Sequence, residues 1–170
     1  MNLNKNLVFL GMMGSGKSSI GNLVSKKLNL KFMDIDSLIE DEAGLSVSNI
    51  FEKKGESYFR NLEEKITLKA LKTVGNVISL GGGGFINNKI RKEILNNHFS
   101  FWLNSDESIL IKRIKDSKKR PLAFKSTEQE IKKLIKKRST IYSKAQFKIN
   151  CDKLTKAEIV KNIIKIYELN

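Results

Sequence analysis

Residues 7–18 read Leu7-Val8-Phe9-Leu10-Gly11-Met12-Met13-Gly14-Ser15-Gly16-Lys17-Ser18. Four apolar residues with strand character run into a glycine-rich loop that matches the pattern G-x-x-x-x-G-K-[ST] at every fixed position. Such glycines let backbone N–H groups curl around a phosphate chain, and the dipole of the following helix adds to the attraction. The alternative is a glycine-rich turn without a ligand. The motif predicts that Lys17 contacts the β- and γ-phosphates of a nucleotide and that Ser18 holds Mg²⁺.

The rest of the chain alternates short apolar runs with helical patterns, which is typical of a parallel sheet with crossover helices. The nearly continuous apolar character of these runs indicates strands buried on both faces. We predict strands over 6–10, 31–33, 77–80, 100–103 and 147–150. Helices are predicted over 18–28, 37–43, 47–54 and 57–73, and a further one starts at 105–107. Capping boxes at 127–130 and 155–158 begin the last two helices.

Composition limits the class of protein. The chain has 170 residues, of which 40% are hydrophobic, and this predicts a single domain over 1–170. One cysteine, Cys151, and one histidine, His98, exclude a disulfide framework and paired-histidine metal chemistry. We expect His98 to lie in an exposed loop. The first apolar run is too short for a signal peptide or a membrane span, so we expect a cytoplasmic protein without a membrane partner, and a monomer.

The net charge of +14 raises the alternative of a nucleic-acid-binding protein. However, only 5 of the 32 basic residues are arginines, on which base recognition and bidentate phosphate contacts chiefly depend. Residues 112–148 contain 14 basic and 3 acidic residues, a net of +11. We therefore expect no nucleic-acid partner, and we attribute the local excess to a cleft for small anions and to solvated lysines.

Two acidic residues follow the second predicted strand as Asp34-Ile35-Asp36. Strand alternation would put both on one side of the chain, at the carboxyl edge of the sheet where open α/β folds bind ligands. Asp34 is a candidate ligand of Mg²⁺, directly or through water, and a solvated loop acid is the alternative. Asp36 is a candidate acceptor for a hydroxyl proton, and the N-cap of helix 37–43 is the alternative.

Four glycines, 81–84, follow the third predicted strand. Such a run allows close backbone approach to a ligand and offers several N–H donors, whereas the alternative is a flexible connector.

The arginines are more informative than the lysines. Arg138 falls within the apolar stripe of its predicted helix, and an inward guanidinium is costly unless it meets an anion. That anion is either a structural carboxylate or a substrate carboxylate bound bidentately. Arg60 either pairs with Glu63, three residues on, or binds a substrate. Arg120 lies in segment 115–126, a predicted mobile lid, where it faces a transferred phosphoryl group or is a solvated charge.

In combination, these motifs resemble those of the shikimate kinases, which have the nucleoside-monophosphate-kinase-like P-loop fold. In chain order they are the loop at 11–18, Asp34-x-Asp36, Phe59-Arg60-x-x-Glu63, Leu80-Gly81-Gly82-Gly83, Arg120-Pro121-Leu122 and Arg138-x-x-x-Tyr142. The loop alone is shared by many NTPases, but the set in this order is specific and spans essentially the whole chain. The resemblance implies a three-layer α/β/α fold with a five-stranded parallel sheet in the order 2-3-1-4-5. It also implies phosphorylation of the 3-hydroxyl of shikimate, with ATP as co-substrate and Mg²⁺ as cofactor.

The resemblance further implies roles for individual residues. Asp36 would hold the shikimate hydroxyls and orient or deprotonate the nucleophile, and Arg60 and Arg138 would bind the carboxylate. The implied substrate-binding set is completed by Glu63, Gly81, Gly82 and Gly83, on or near substrate-binding helices at about 36–64. The implied ATP-binding residues are Gly14, Ser15, Gly16, Lys17, Ser18, Ser19, Arg113, Arg120 and Lys153. Ser18 and Asp34 would serve Mg²⁺, and the implied catalytic residues are Lys17, Asp36 and Arg120. A kinase for another hydroxylated acid, such as gluconate, is the nearest alternative.

Overall fold

The computed structural model describes residues 4–116 and 126–170. Its five strands are β1 (Leu7–Leu10), β2 (Lys31–Asp34), β3 (Asn76–Ser79), β4 (Phe99–Asn104) and β5 (Phe147–Asn150). They form one parallel sheet in the order β2-β3-β1-β4-β5. The predicted strand order is confirmed, and every predicted strand end lies within one residue of the observed one.

Seven α-helices occur in the described residues. They are α1 (Lys17–Leu28), α2 (Ile35–Ala43), α3 (Val47–Leu71), α4 (Asn88–Asn97), α5 (Glu107–Lys115), α6 (Glu128–Tyr142) and α7 (Lys156–Glu168). Both predicted capping boxes are present at the starts of α6 and α7. Helix α4 was not predicted, because its only buried residues are Ile90 and Ile94 and two positions do not establish a period. None of the described helices is both long and apolar enough to cross a membrane.

Helix α3 joins two helices that the sequence predicts separately, over 47–54 and 57–73. Its backbone leaves the helical conformation at Gly55, where φ is 80° and ψ is 170°. Only glycine adopts this conformation readily, so the predicted stop at Gly55 marks a real break inside one element. The break separates the half of α3 that carries Phe51 from the half that carries Arg60.

Alternate strand residues face two hydrophobic cores, one on each side of the sheet. Val8 and Ile78 belong to the core shared with helices α2–α6. Leu7, Phe9 and Val77 belong to the core shared with α1 and α7. This alternation of buried side chains produces the three-layer α/β/α arrangement that the sequence predicts.

His98 is buried, so the predicted exposed position is wrong. It lies between α4 and β4 with 3% of its surface exposed, and its Nδ1 accepts a hydrogen bond of 3.3 Å from the Asn6 N–H. The Asn6 side chain donates to the Thr73 carbonyl at 2.6 Å and accepts from the Asn76 N–H at 3.0 Å. Burial lowers the pKa of His98, which favours the neutral ring that this contact requires. The network ties together the amino ends of three strands, opposite the site described next.

Candidate functional site

The glycine-rich loop between β1 and α1 is shaped by backbone conformations that favour glycine. Gly11, Gly14 and Gly16 have φ values of 141°, 81° and 91°. Lys17, the first residue of α1, is only 7% exposed, and its Nζ donates to the carbonyl oxygens of Gly11 at 3.0 Å and Met12 at 2.9 Å. The loop thus holds a buried ammonium group at the N-terminus of a helix. The charge of the ammonium and the positive end of the helix dipole both attract phosphate.

Asp34 connects the second strand to the loop. Its Oδ1 caps α2 by accepting from the N–H groups of Asp36 at 3.1 Å and Ser37 at 3.4 Å. Its Oδ2 accepts a 2.5 Å hydrogen bond from the Ser18 hydroxyl. Two alternatives are therefore wrong: Asp34 is not a free loop acid, and Asp36 is not the cap of α2. The strand-alternation argument also fails for Asp36, because α2 begins at residue 35.

Ser18 and Asp34 fit a Mg²⁺ ion chemically, since hydroxyl and carboxylate oxygens are the donors that this hard cation prefers. Ser79, at the end of β3, places a third oxygen 3.5 Å from the Ser18 hydroxyl. Within 4–116 and 126–170 there is no group of three or more His, Cys, Asp or Glu side chains that could hold a metal. The remaining ligands would therefore have to be nucleotide phosphates and water, as is common for Mg²⁺.

Two cavities open beside this loop. The first, of about 250 Å³ and here called the loop cavity, is lined by Gly14, Gly16, Lys17, Ser18, Ser19, Asp34, Asp36 and Leu80. The second, of about 400 Å³ and here called the arginine cavity, is lined among others by Met12, Met13, Asp36, Arg60, Glu63, Gly82, Gly83 and Arg138. Asp36 borders both cavities. A carboxylate therefore stands where groups bound in the two cavities would meet.

Charged side chains of the site approach each of the first three glycines after β3 closely. A Cβ atom on Gly81 would lie 2.5 Å from Asp36 Oδ1 and 2.8 Å from Glu63 Oε1. On Gly82 it would lie 3.3 Å from Arg138 Nη1, and on Gly83 it would lie 2.8 Å from Arg60 Cζ. A side chain at Gly81 or Gly83 would therefore displace a charged group of the site, and one at Gly82 would crowd Arg138. Gly82 and Gly83 line the arginine cavity, whereas Gly81 is not among its lining residues and packs against the two carboxylates.

Replacing Gly83 with alanine should raise the KM of the substrate that fills the arginine cavity by about ten-fold, because the new Cβ displaces the Arg60 guanidinium. The fold should persist, since the group displaced is the end of a flexible side chain. Gly84→Ala is the matched control: the nearest atom to its Cβ would be 3.6 Å away, an ordinary contact. Steady-state kinetics should show the raised KM in Gly83→Ala alone. Equal KM values in Gly83→Ala and Gly84→Ala would contradict the displacement of Arg60 as the cause.

Arg60 is fixed by two carboxylates and two aromatic rings. Its Nη1 lies 2.7 Å from Glu63 Oε2 and its Nε lies 3.2 Å from Glu56 Oε1. The guanidinium also lies over the rings of Phe59 and Phe51, at 5.1 and 6.0 Å from their centres. The predicted pair with Glu63 is thus present, and Arg60 lines the cavity as well.

Burial and the neighbouring charges together set the pKa values of Arg60 and Glu63. Burial raises the pKa of Glu63 above the usual carboxyl range, although the Arg60 guanidinium acts in the opposite direction. Burial acts to lower the pKa of Arg60, but the carboxylates of Glu63 and Glu56 outweigh it and the net pKa is raised. Arg60 is therefore positively charged throughout the neutral range.

Arg138 differs from Arg60 in its partners. It is half-buried on α6, and its Nη1 donates to the sulfur of Met12 at 3.8 Å. Within the described part of the chain no carboxylate lies within salt-bridge distance of Arg138. The buried Glu63 carboxylate is near enough for the charge of Arg138 to act to lower its pKa, but it forms no salt bridge with Arg138. The guanidinium therefore faces the arginine cavity without a directly bound carboxylate from the described residues.

The remaining predicted residues lie at different distances from the two cavities. Arg113 Nη1 donates to the Gly14 carbonyl at 3.1 Å, so this arginine lies against the loop. Ser15 is buried in the loop, whereas Lys153 is exposed after β5 and lines neither cavity. Arg120 and the rest of its Arg-Pro-Leu motif lie outside the described residues.

Several residues around the arginine cavity were not predicted as part of a site. Glu40, Ser48, Glu130 and Leu134 line it, although the sequence marks Glu130 only as part of a capping box. Three apolar residues, Val47, Phe51 and Phe59, line the cavity and also pack in or against the core. Phe59 is also a core residue, with 3% of its surface exposed.

Comparisons with known proteins agree on one family. The family model described as shikimate kinase matches residues 13–168. The shikimate kinase of Thermodesulfovibrio yellowstonii is 39% identical over 165 residues, which cover 96% of this chain and 95% of that protein. The solved shikimate kinase of Aquifex aeolicus has 37% identity and a TM-score of 0.85, covering 96% of each chain. That of Acinetobacter baumannii, in complex with shikimate, has 26% identity and a TM-score of 0.91, covering 98% of this chain and 94% of that one.

Proposed function

Because this chain belongs to the shikimate kinase family, we propose that its arginine cavity holds shikimate and its loop cavity holds the phosphates of ATP. The family's activity is the transfer of a phosphoryl group from ATP to shikimate, at the 3-hydroxyl. The observation that carries the placement of shikimate is Arg138, which is half-buried and lines the cavity without a salt bridge to any carboxylate of the described residues. A substrate carboxylate would supply the missing anion in bidentate geometry.

The reacting groups would meet at Asp36, the residue that borders both cavities. Asp36 would accept a hydrogen bond from the attacking hydroxyl and so orient it toward the γ-phosphate, or take its proton as the bond forms. Lys17 would turn from the Gly11 and Met12 carbonyls toward the transferred phosphoryl group and balance its developing charge. Ser18 and Asp34 would hold Mg²⁺, which would neutralise charge on the phosphates.

Three residues would complete the nucleotide side. Arg113, already against Gly14, would lie beside the adenine, and Lys153 would approach it from the turn after β5. Arg120 would act from a lid at about 115–126. Ile114, just before this segment, and Ser126, its last residue, line the arginine cavity, so such a lid would begin and end beside the proposed site. A monomeric state, a cytoplasmic location and the lack of a nucleic-acid partner stay predictions.

The function is tested by measuring ADP release with shikimate, gluconate and nucleoside monophosphates as acceptors. We expect turnover with shikimate alone. The family match favours shikimate over gluconate, and nucleoside monophosphates lack the carboxylate that the two arginines would bind. Turnover with gluconate but not with shikimate would favour the alternative acid kinase. Steeply salt-dependent binding to DNA or RNA would favour the nucleic-acid alternative.

Replacing Arg138 or Arg60 with alanine should raise the KM for shikimate by about 10- to 100-fold, the cost of a lost charge-assisted hydrogen bond. The KM for ATP should change less than about two-fold, since neither arginine lines the loop cavity. Lys137→Ala, which removes an exposed charge next to Arg138, serves as the control. If either arginine variant kept the wild-type KM for shikimate, its assignment to the carboxylate would be wrong.

A further inference from the structure

Tyr142 has no role in the proposed reaction, although it ends the motif Arg138-x-x-x-Tyr142. It is the last residue of α6, one turn after Arg138, and only 2% of its surface is exposed. Its ring packs 6.1 Å from that of Trp102 in the core. Its hydroxyl donates a hydrogen bond to the carbonyl oxygen of Gly82. One face of α6 thus presents two groups to Gly82, the Arg138 guanidinium and the Tyr142 hydroxyl.

The contact with Gly82 fixes the orientation of the peptide group between Gly82 and Gly83. In a trans peptide the C=O and the following N–H point in opposite directions, and the described residues contain no cis peptide. Since the Gly82 oxygen points to the buried tyrosine, the Gly83 N–H points away from it. Both glycines line the arginine cavity, and within the described residues the Gly83 N–H has no hydrogen-bond acceptor.

We propose that Tyr142 is a positioning residue for shikimate: its hydroxyl holds the Gly82–Gly83 peptide so that the Gly83 N–H donates to an oxygen of the substrate. The proposal rests on the proposed function, which places shikimate in this cavity. Two adjacent glycines allow many backbone conformations, so an external contact is needed to select one of them. Burial raises the pKa of Tyr142 to about 12, and the hydroxyl is therefore a donor over the whole neutral range.

The first test is Tyr142→Phe, which removes the hydroxyl and keeps the ring. Loss of one oriented neutral hydrogen bond should raise the KM for shikimate by about three- to ten-fold and leave the KM for ATP within about two-fold. Tyr167→Phe is the matched control, because Tyr167 is 1% exposed and packs against Phe99 on the other face of the sheet. If the Tyr142 hydroxyl had only a structural role, Tyr142→Phe would resemble Tyr167→Phe: both would lower the melting temperature, and neither would change the KM for shikimate selectively. An unchanged KM for shikimate, or equal changes for both substrates, would overturn the proposal.

A second test uses the wild-type enzyme and does not depend on the variant. In ¹⁵N-labelled protein, adding shikimate should move the Gly83 amide proton downfield, because it gains an acceptor. The Gly84 amide is the internal control, since it already donates to the Gly81 carbonyl at 3.1 Å. In Tyr142→Phe the Gly83 shift should shrink. If the Gly83 amide did not shift although Arg138→Ala still raised the KM for shikimate, the role of Tyr142 would be wrong and the placement of shikimate would stand. If Arg138→Ala left that KM unchanged, the placement of shikimate itself would fail.

Discussion

Replacing Lys17 with methionine should lower kcat by at least about 1,000-fold. Methionine keeps much of the length and apolar surface of the lysine stem but removes the charge that would face the transferred phosphoryl group. The ammonium sits 3.0 and 2.9 Å from two loop carbonyls, and Lys17 lines the loop cavity in which the phosphates are proposed to bind. The enzyme therefore holds the charge ready before the reaction begins, and its loss removes stabilisation that no other described residue in the loop can replace.

Lys27→Met is the control for Lys17→Met. Lys27 lies on the same helix but is exposed, so this variant changes the net charge equally without touching the loop. Melting temperatures should be recorded for both variants, since Lys17→Met also leaves the Gly11 and Met12 carbonyls without their donor, at a cost of about 1–3 kcal/mol. A folded Lys17→Met enzyme with kcat within about ten-fold of the wild type would contradict the assigned role.

Replacing Asp36 with asparagine should lower kcat by about 100- to 10,000-fold. The amide has nearly the same shape as the carboxylate, but it neither carries the charge that orients a hydroxyl nor accepts its proton. The Asp36 carboxylate lies close to the buried Glu63 carboxylate and acts to raise its pKa, so removing one negative charge relieves that repulsion. The melting temperature of the variant should be recorded to show that the loss of kcat occurs in folded protein.

Asp41→Asn provides the comparison for Asp36→Asn. Asp41 is an exposed residue of the same helix and lines neither cavity. ADP-release kinetics should show the loss of kcat in Asp36→Asn only. If that variant turned over shikimate at a rate within about ten-fold of the wild type, Asp36 would be neither the orienting group nor the proton acceptor.

The fold could be predicted from the sequence because its signals are local and strong. The strands are short runs of apolar residues, and the capping boxes of α6 and α7 are complete within four residues. Helix α4 and the buried His98 escaped prediction because neither belongs to a periodic pattern. The position of His98 depends on Asn6, 92 residues away in the chain, and no local signal reports that contact.

For the candidate site, the sequence predicted the residue types better than their contacts. The stripe position of Arg138 correctly indicated an inward guanidinium, but the absence of a carboxylate partner could only be read from three-dimensional packing. The sequence placed the alternative role of helix cap on Asp36, but the cap of α2 is Asp34, because the helix begins at Ile35 and not at Ser37. A difference of two residues in the start of the helix was enough to move the cap from Asp36 to Asp34.

The close approach of charged side chains to residues 81–83 also limits how the acceptor specificity of this enzyme can change. At these three positions even a methyl group would contact Asp36, Arg138 or Arg60, so a larger residue there would displace the groups that are proposed to bind the acceptor. Other lining residues of the cavity, including Glu40, Ser48 and Phe51, are ordinary side chains. Libraries that aim at new acceptors should therefore vary such positions on α2 and the first half of α3, and leave Asp36 and the glycines untouched.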